Sequence, residues 1–237
     1  MSRSRSWFED AAGLIAGPHG TRVNRAIRLV CRPIYEVSHR ITVLGRQHAD
    51  LAGGYLLAAN HHHPMDIPGL MYATPRLIEF VSTVNVIRTP VFGSFYKLFR
   101  PIPLNRGVVD SRSVKAIVDR LKAGRVIGIF PEAGIKQGPE SVTEGGPHRA
   151  GFGRIARLAD VPVIPTVILE SRRSMAAAAW LPLRRTRFGV AFGEPLLIRP
   201  DLEPRQAQHD LEERWRSAVG ELTTVLRREL ETPPRST

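Results

Sequence analysis

The feature that most constrains the fold is a helix signal that runs straight into a strand signal at residues 110–130. Asp110 is placed to cap a helix over Ser111 to Ala123, Val114, Ile117, Val118 and Leu121 fall on one face of it, and Gly124 stops it. Directly afterwards, Val126-Ile127-Gly128-Ile129-Phe130 is a run without polar alternation. A strand of that kind has no solvent face and must be covered on both sides. A helix delivered into a buried strand is the unit from which helix-layered parallel sheets are built.

The same alternation recurs along the chain. Tyr55 to Ala59, Leu77 to Ser82, Val163 to Leu169 and Arg187 to Phe192 read as further strands. Helical patterns cover Arg149 to Ala159 and Glu203 to Leu230, the latter repeating apolar residues at Leu211, Trp215, Ala218, Leu222 and Val225. The expected fold is a single α/β domain with a mostly parallel, helix-covered sheet, whose sites gather in the loops after strand C-terminal ends. At 237 residues and 43% hydrophobic composition, one such domain buries enough core to need neither disulfide nor metal. The single Cys31 has no partner for an intrachain disulfide, which fits an intracellular protein.

Residues 1–40 stand apart from the domain expected over 41–237. Val23, Ile27, Val30 and Ile34 share one helical face, and Arg22, Arg25, Arg28 and Arg32 share the other. Such a basic amphipathic helix suits the boundary of an anionic membrane, although a helix packed on a core shows the same period. Glu9 and Asp10 interrupt the first apolar patch, so no signal peptide is expected. The longest strongly apolar run, Met175 to Leu183, falls well short of the roughly 20 residues that span a bilayer, so membrane contact is expected to be peripheral. A net charge of +12, carried mostly by arginine, calls for anionic partners: lipid headgroups, a phosphorylated substrate or nucleic acid. No zinc finger, helix-turn-helix or aromatic-rich RNA-binding strand pair is present in the sequence, so nucleic acid is not expected. A basic, non-catalytic membrane- or nucleic-acid-binding protein is the alternative from a different class.

Chemistry-bearing residues cluster at strand ends. After Tyr55 to Ala59 the chain leaves the sheet at Asn60 and presents His61, with Asp66 five positions on. An imidazole can take a hydroxyl proton near neutral pH, and a carboxylate on its other nitrogen fixes the tautomer and stabilises the imidazolium. The turn through Pro64 can fold Asp66 back onto His61, and Pro68 fits the first turn of a following helix. By itself this spacing also suits a structural pair. His61, His62 and His63 invite a metal, but adjacent side chains diverge and no further ligand recurs at helical spacing, so no metal is expected.

At the next strand end come Phe130-Pro131-Glu132-Ala133-Gly134 and then Lys136. The small residues Ala133 and Gly134 leave backbone N–H groups accessible to a phosphate or an oxyanion, and Glu132 adds a carboxylate; a plain turn has a similar composition. Between the clusters, Pro101 to Gly107 places Arg106 in a loop, either solvated or clamping a phosphate with its planar fork.

The order of these clusters resembles a known family. Asn60-His61-x4-Asp66, a proline-rich segment ending at Arg106, Phe130-Pro131-Glu132 and Val161-Pro162-Val163-Ile164-Pro165 follow the motif order of the glycerolipid acyltransferases, which include bacterial 1-acylglycerol-3-phosphate acyltransferases. The resemblance implies that His61 is the general base and Asp66 its partner. It makes Arg106 the acceptor-binding arginine, places Glu132, Ala133, Gly134 and Lys136 at the substrate, and matches Pro165 to the proline of the fourth motif. It further implies acyl transfer from acyl-CoA or acyl-carrier protein to a lysophospholipid hydroxyl, with 1-acylglycerol-3-phosphate first and glycerol-3-phosphate or a glycolipid as alternatives. No metal or redox cofactor is implied, and the expected location is peripheral, on the cytoplasmic face of the membrane. The chain departs from the pattern at His63, where the family usually has Ser, and at Ala133-Gly134-Ile135, where Gly-Thr-Arg is usual. Lys136 can supply the missing charge but not a guanidinium fork. These departures bear on which hydroxyl is acylated.

Overall fold

The computed structural model describes residues 29, 32–33, 36–37, 39–83, 102–104, 111–170 and 186–232. In chain order the elements are β1 (His39–Leu44), β2 (Tyr55–Ala59), α1 (Asp66–Ala73), β3 (Ile78–Thr83), β4 (Ile102–Leu104), α2 (Ser111–Lys122), β5 (Val126–Ile129), α3 (Phe152–Ala159), β6 (Val163–Glu170), β7 (Thr186–Phe192) and α4 (Pro204–Glu231). The strands form one sheet in the order β1-β7-β6-β2-β5-β3-β4. Every neighbouring pair is parallel except β6 and β7. This is the expected α/β domain.

β2 lies near the middle of the sheet, and all five of its residues are buried. Its pleat sends alternate side chains to two separate cores. Tyr55, Leu57 and Ala59 meet Ile67, Leu70 and Met71 of α1 on one side. Leu56 and Ala58 meet Ile117 and Leu121 of α2, Phe152 and Ala156 of α3, and Leu211 and Trp215 of α4 on the other. Removing a leucine of this kind from water stabilises the fold by about 2 kcal/mol. Gly69 lets α1 lie directly on the sheet, because a Cβ there would come within 2.1 Å of the Phe188 ring. α3 has no side-chain cap of its own; Glu212 of α4 accepts from the amides of Gly151 (2.8 Å) and Gly153 (3.0 Å), bringing a carboxylate to the positive end of the helix.

The structure corrects several expectations. β1 and β4 are strands that the sequence reading missed, and β4 turns part of the expected Pro101–Gly107 loop into an edge strand. On α4 the buried stripe runs Leu211, Trp215, Val219 and Leu226, whereas Val225 is exposed. Leu226 lies eleven residues after Trp215, close to three full turns at 3.6 residues per turn, and Val225 falls short of that. The capping role of Asp110 and most of the basic segment 22–34 lie outside the described residues.

Candidate active site

The site begins where β2 stops. Asn60 is fully buried, its Nδ2 donates to the Ile168 carbonyl at 2.9 Å, and its Oδ1 accepts from the Ile168 amide at 2.7 Å. β6 is paired with β2 up to Ala59 and Thr166, so Ile168 is two residues further along the same ladder. The Asn60 side chain therefore takes the place of the backbone in satisfying β6, and the main chain is free to turn out of the sheet with both backbone groups of Ile168 paired.

The first residue carried out is His61. Its Nδ1 lies 2.9 Å from Asp66 Oδ2, and its Nε2 makes no hydrogen bond among the described residues. The ring stacks on Phe130 with centroids 4.1 Å apart, and Phe130 in turn stacks on Phe80 at 5.7 Å. Asp66 opens α1 and is fully buried; its Oδ2 also accepts from the amides of His62 (2.7 Å) and His63 (2.9 Å). Donors converge on this oxygen as they do on a carboxylate. The network thus assigns a proton to His61 Nδ1 and leaves Nε2 as the acceptor nitrogen. The three imidazoles diverge: His62 Nε2 reaches Ser141 Oγ at 2.8 Å and Thr143 Oγ1 at 3.2 Å, and His63 Nδ1 accepts from the Met65 amide. Burial pushes the His62 pKa down, against the opposing pull of the Asp66 and Glu132 charges, which favours the uncharged ring.

Glu132 follows β5 and is buried. One oxygen accepts from the His61 amide at 2.5 Å; the other accepts from Ser141 Oγ and the Val142 amide, both at 2.8 Å. Both oxygens are spent on the protein, so this carboxylate grips the backbone of the histidine loop. Ala133 takes a left-handed φ of 57°, which costs a non-glycine residue about 1 kcal/mol. Beside it, the Gly134 and Ile135 amides have no hydrogen bond among the described residues, and a Cβ built on Gly134 would meet nothing within 4 Å. Among the described residues, that side of the loop is open. The Lys136 amide donates to the His61 carbonyl at 2.8 Å, and its exposed ammonium pairs with Glu140.

Of the residues singled out from sequence, His61, Asp66, Glu132, Ala133, Gly134 and Lys136 come together, and Arg106 lies outside the described residues. Pro165 sits within β6 opposite Ala58, two residues before the chain turns out. Sequence reasoning missed the Phe130 stack, which an aromatic at the end of a strand beside a histidine loop could have signalled, and it missed Ser141, for which no local signal exists. A groove of about 720 Å³ opens beside His62, lined also by Thr143, Leu169, Arg187, Arg227 and Leu230. Chemically, the site offers a proton acceptor backed by a buried carboxylate, with two adjacent loop amides that are unpaired among the described residues.

The class follows from fold and site together. The profile of the acyltransferase family matches residues 40–169, from β1 into β6, and the chain belongs to that family. More particularly, it is similar to the 1-acyl-sn-glycerol-3-phosphate acyltransferase of Bacillus subtilis (strain 168), with 24% identity over 126 residues. That match covers 53% of this chain and 60% of the relative, so less than two thirds of the relative's length is represented. The crystal structure of the 1-acyl-sn-glycerophosphate (LPA) acyltransferase PlsC from Thermotoga maritima shares the fold, with a TM-score of 0.59 and 19% identity over 84% of this chain and 79% of that one.

Proposed function

We propose that this acyltransferase moves a fatty acyl group from acyl-CoA or an acyl-carrier protein to the hydroxyl of a lysophospholipid, with 1-acylglycerol-3-phosphate as the preferred acceptor. The observation that carries the reading is the His61–Asp66 contact at 2.9 Å with Nε2 left open at the carboxyl edge of the sheet. In the proposed reaction Nε2 takes the proton of the acceptor hydroxyl as its oxygen attacks the thioester carbonyl, and Asp66 balances the charge on the imidazolium. Negative charge develops on the former carbonyl oxygen, which the Gly134 and Ile135 amides, unpaired among the described residues, are suited to meet. The intermediate then collapses, the C–S bond breaks, and the imidazolium returns its proton to the departing thiol. Glu132 holds the base in place from behind, and Arg106 with Lys136 receives the acceptor's phosphate.

We infer that the enzyme works at the cytoplasmic face of the membrane as a peripheral protein. A net charge of +12 supports this reading. The test is thiol release from acyl-CoA with a panel of competing acceptors, with products identified by mass spectrometry. Release that depends on 1-acylglycerol-3-phosphate and yields the diacyl product is expected. Release with glycerol-3-phosphate or a glycolipid instead would move the acceptor. No acceptor-dependent release, together with salt-sensitive DNA binding, would replace the enzymatic reading for this chain.

A further inference from the structure

The chemistry proposed above leaves a buried polar cluster unused. Ser141 is fully buried, and its Oγ lies 2.8 Å from Glu132 Oε1, 2.8 Å from His62 Nε2 and 3.0 Å from Thr143 Oγ1. A hydroxyl has one proton to give. Glu132 Oε1 also accepts from the Val142 amide, so it is an acceptor and the Ser141 proton goes to it. His62 must then donate to Ser141 from Nε2, which settles its tautomer.

The bonds close a circuit. Ser141 holds one oxygen of Glu132, and the other oxygen holds the His61 amide. The His61 ring holds Asp66 Oδ2, the same oxygen accepts the His62 amide, and the His62 ring returns to Ser141. The general base is thus fixed at two atoms, its amide and its Nδ1, and Ser141 is the corner where the two arms of the circuit meet. We propose that Ser141 is a positioning residue for acyl transfer, acting through Glu132 on the backbone of His61 and through His62 on Asp66. The proposal rests on His61 being the base. Its rival is local: Ser141 also caps the short turn Val142–Glu144 by accepting from the Thr143 amide, and a capping residue alone would matter for stability only.

The test compares the full chain with Ser141→Ala, reading kcat and KM beside the melting temperature. Opening the circuit lets His61 drift from its bonding position, and misplacement of a reacting group by about an ångström costs on the order of 100-fold. Expected are a kcat lower by about tenfold to 100-fold and a KM within about twofold. The comparison extends to His62→Leu, which opens the circuit at the next corner, and His62→Gln, which keeps an N–H in place of Nε2, and it passes to this pair alone if Ser141→Ala does not fold. The leucine variant should lose kcat with KM kept, and the glutamine variant should recover most of the rate. A wild-type kcat in Ser141→Ala, or a His62→Gln variant no more active than His62→Leu, overturns the proposal and leaves Ser141 a cap. Full activity in His61→Ala overturns instead the assignment of the base on which the proposal stands.

Discussion

The two edges of the sheet bury the same kinds of charged groups and put them to different use. At the amino edge Arg76, 5% exposed, donates to the carbonyls of Leu51 (2.6 Å), Gly124 (2.6 Å) and Gly53, tying the approaches to β2 and β5 together. Nearby, buried Glu79 sits between Arg120 and Arg125, each 2.6 Å away. Those bonds end on other atoms of the fold. At the carboxyl edge both oxygens of Glu132 and Oδ2 of Asp66 are held as well, yet Asp66 Oδ1 is buried with no partner among the described residues, and the sequence of bonds ends on His61 Nε2, which likewise has none there. Burial and charge alone do not separate a structural cluster from a chemical one. What separates them is whether the last atom in the network is closed or left facing a reactant.

That contrast can be broken by exchanging which edge is damaged. His61→Ala should reduce acyl transfer by about 1000-fold, the scale of removing a positioned general base, while the melting temperature stays close to wild type. If the variant instead unfolds with its remaining activity intact, the two edges do not differ as described. Arg76→Ala should do the reverse: three partly buried carbonyls lose their donor, unfolding free energy in denaturant titration falls by about 3 kcal/mol, and kcat per folded molecule is unchanged. A kcat loss in that variant would mean that the edges are coupled.

The smallest effect concerns pH. Burial lowers the pKa of His62 and of His148 in the folded protein, so the folded state binds fewer protons than the unfolded chain. Their contribution to stability is complete above the ordinary histidine value of about 6.5 and is lost as pH falls below it through the lowered values. Between neutral pH and pH about 5.5, the melting temperature should fall by about 3 °C, and His148→Gln should flatten that slope. An identical slope in His148→Gln would remove His148 from the comparison.

Much of this architecture was legible in the chain because buried parallel strands are unmistakable. Tyr55–Ala59 coincides with β2 at both ends, and the expected Val126, Val163 and Arg187 strands differ from β5, β6 and β7 by a single residue at one end. β1 and β4 escaped notice for the opposite reason. His39-Arg40-Ile41-Thr42-Val43-Leu44 is an edge strand with a basic start, and Ile102-Pro103-Leu104 carries a proline, tolerated at an edge but misleading in a pattern search. The pairing of His61 with Asp66 was legible because five residues and a proline turn suffice to close it. The roles of Glu132 and Ser141 were not. They depend on two loops from different strands meeting behind the histidine, and no spacing along the chain records that meeting. Sequence motifs pointed Glu132 toward substrate, whereas both of its oxygens face inward.

The Asn60 side chain, bonded both ways to Ile168, has a consequence for quality control during folding. It pins the departure point of the histidine loop to one residue of β6. A slip of β6 by one position would present Val167 or Leu169 to Asn60 with donor and acceptor turned away, because successive strand residues offer their backbone groups to opposite neighbours. Mispaired molecules would then be inactive as well as unstable. Catalytic turnover in this protein is therefore a readout of strand register, and a population that regains full activity after refolding has paired its central strands correctly.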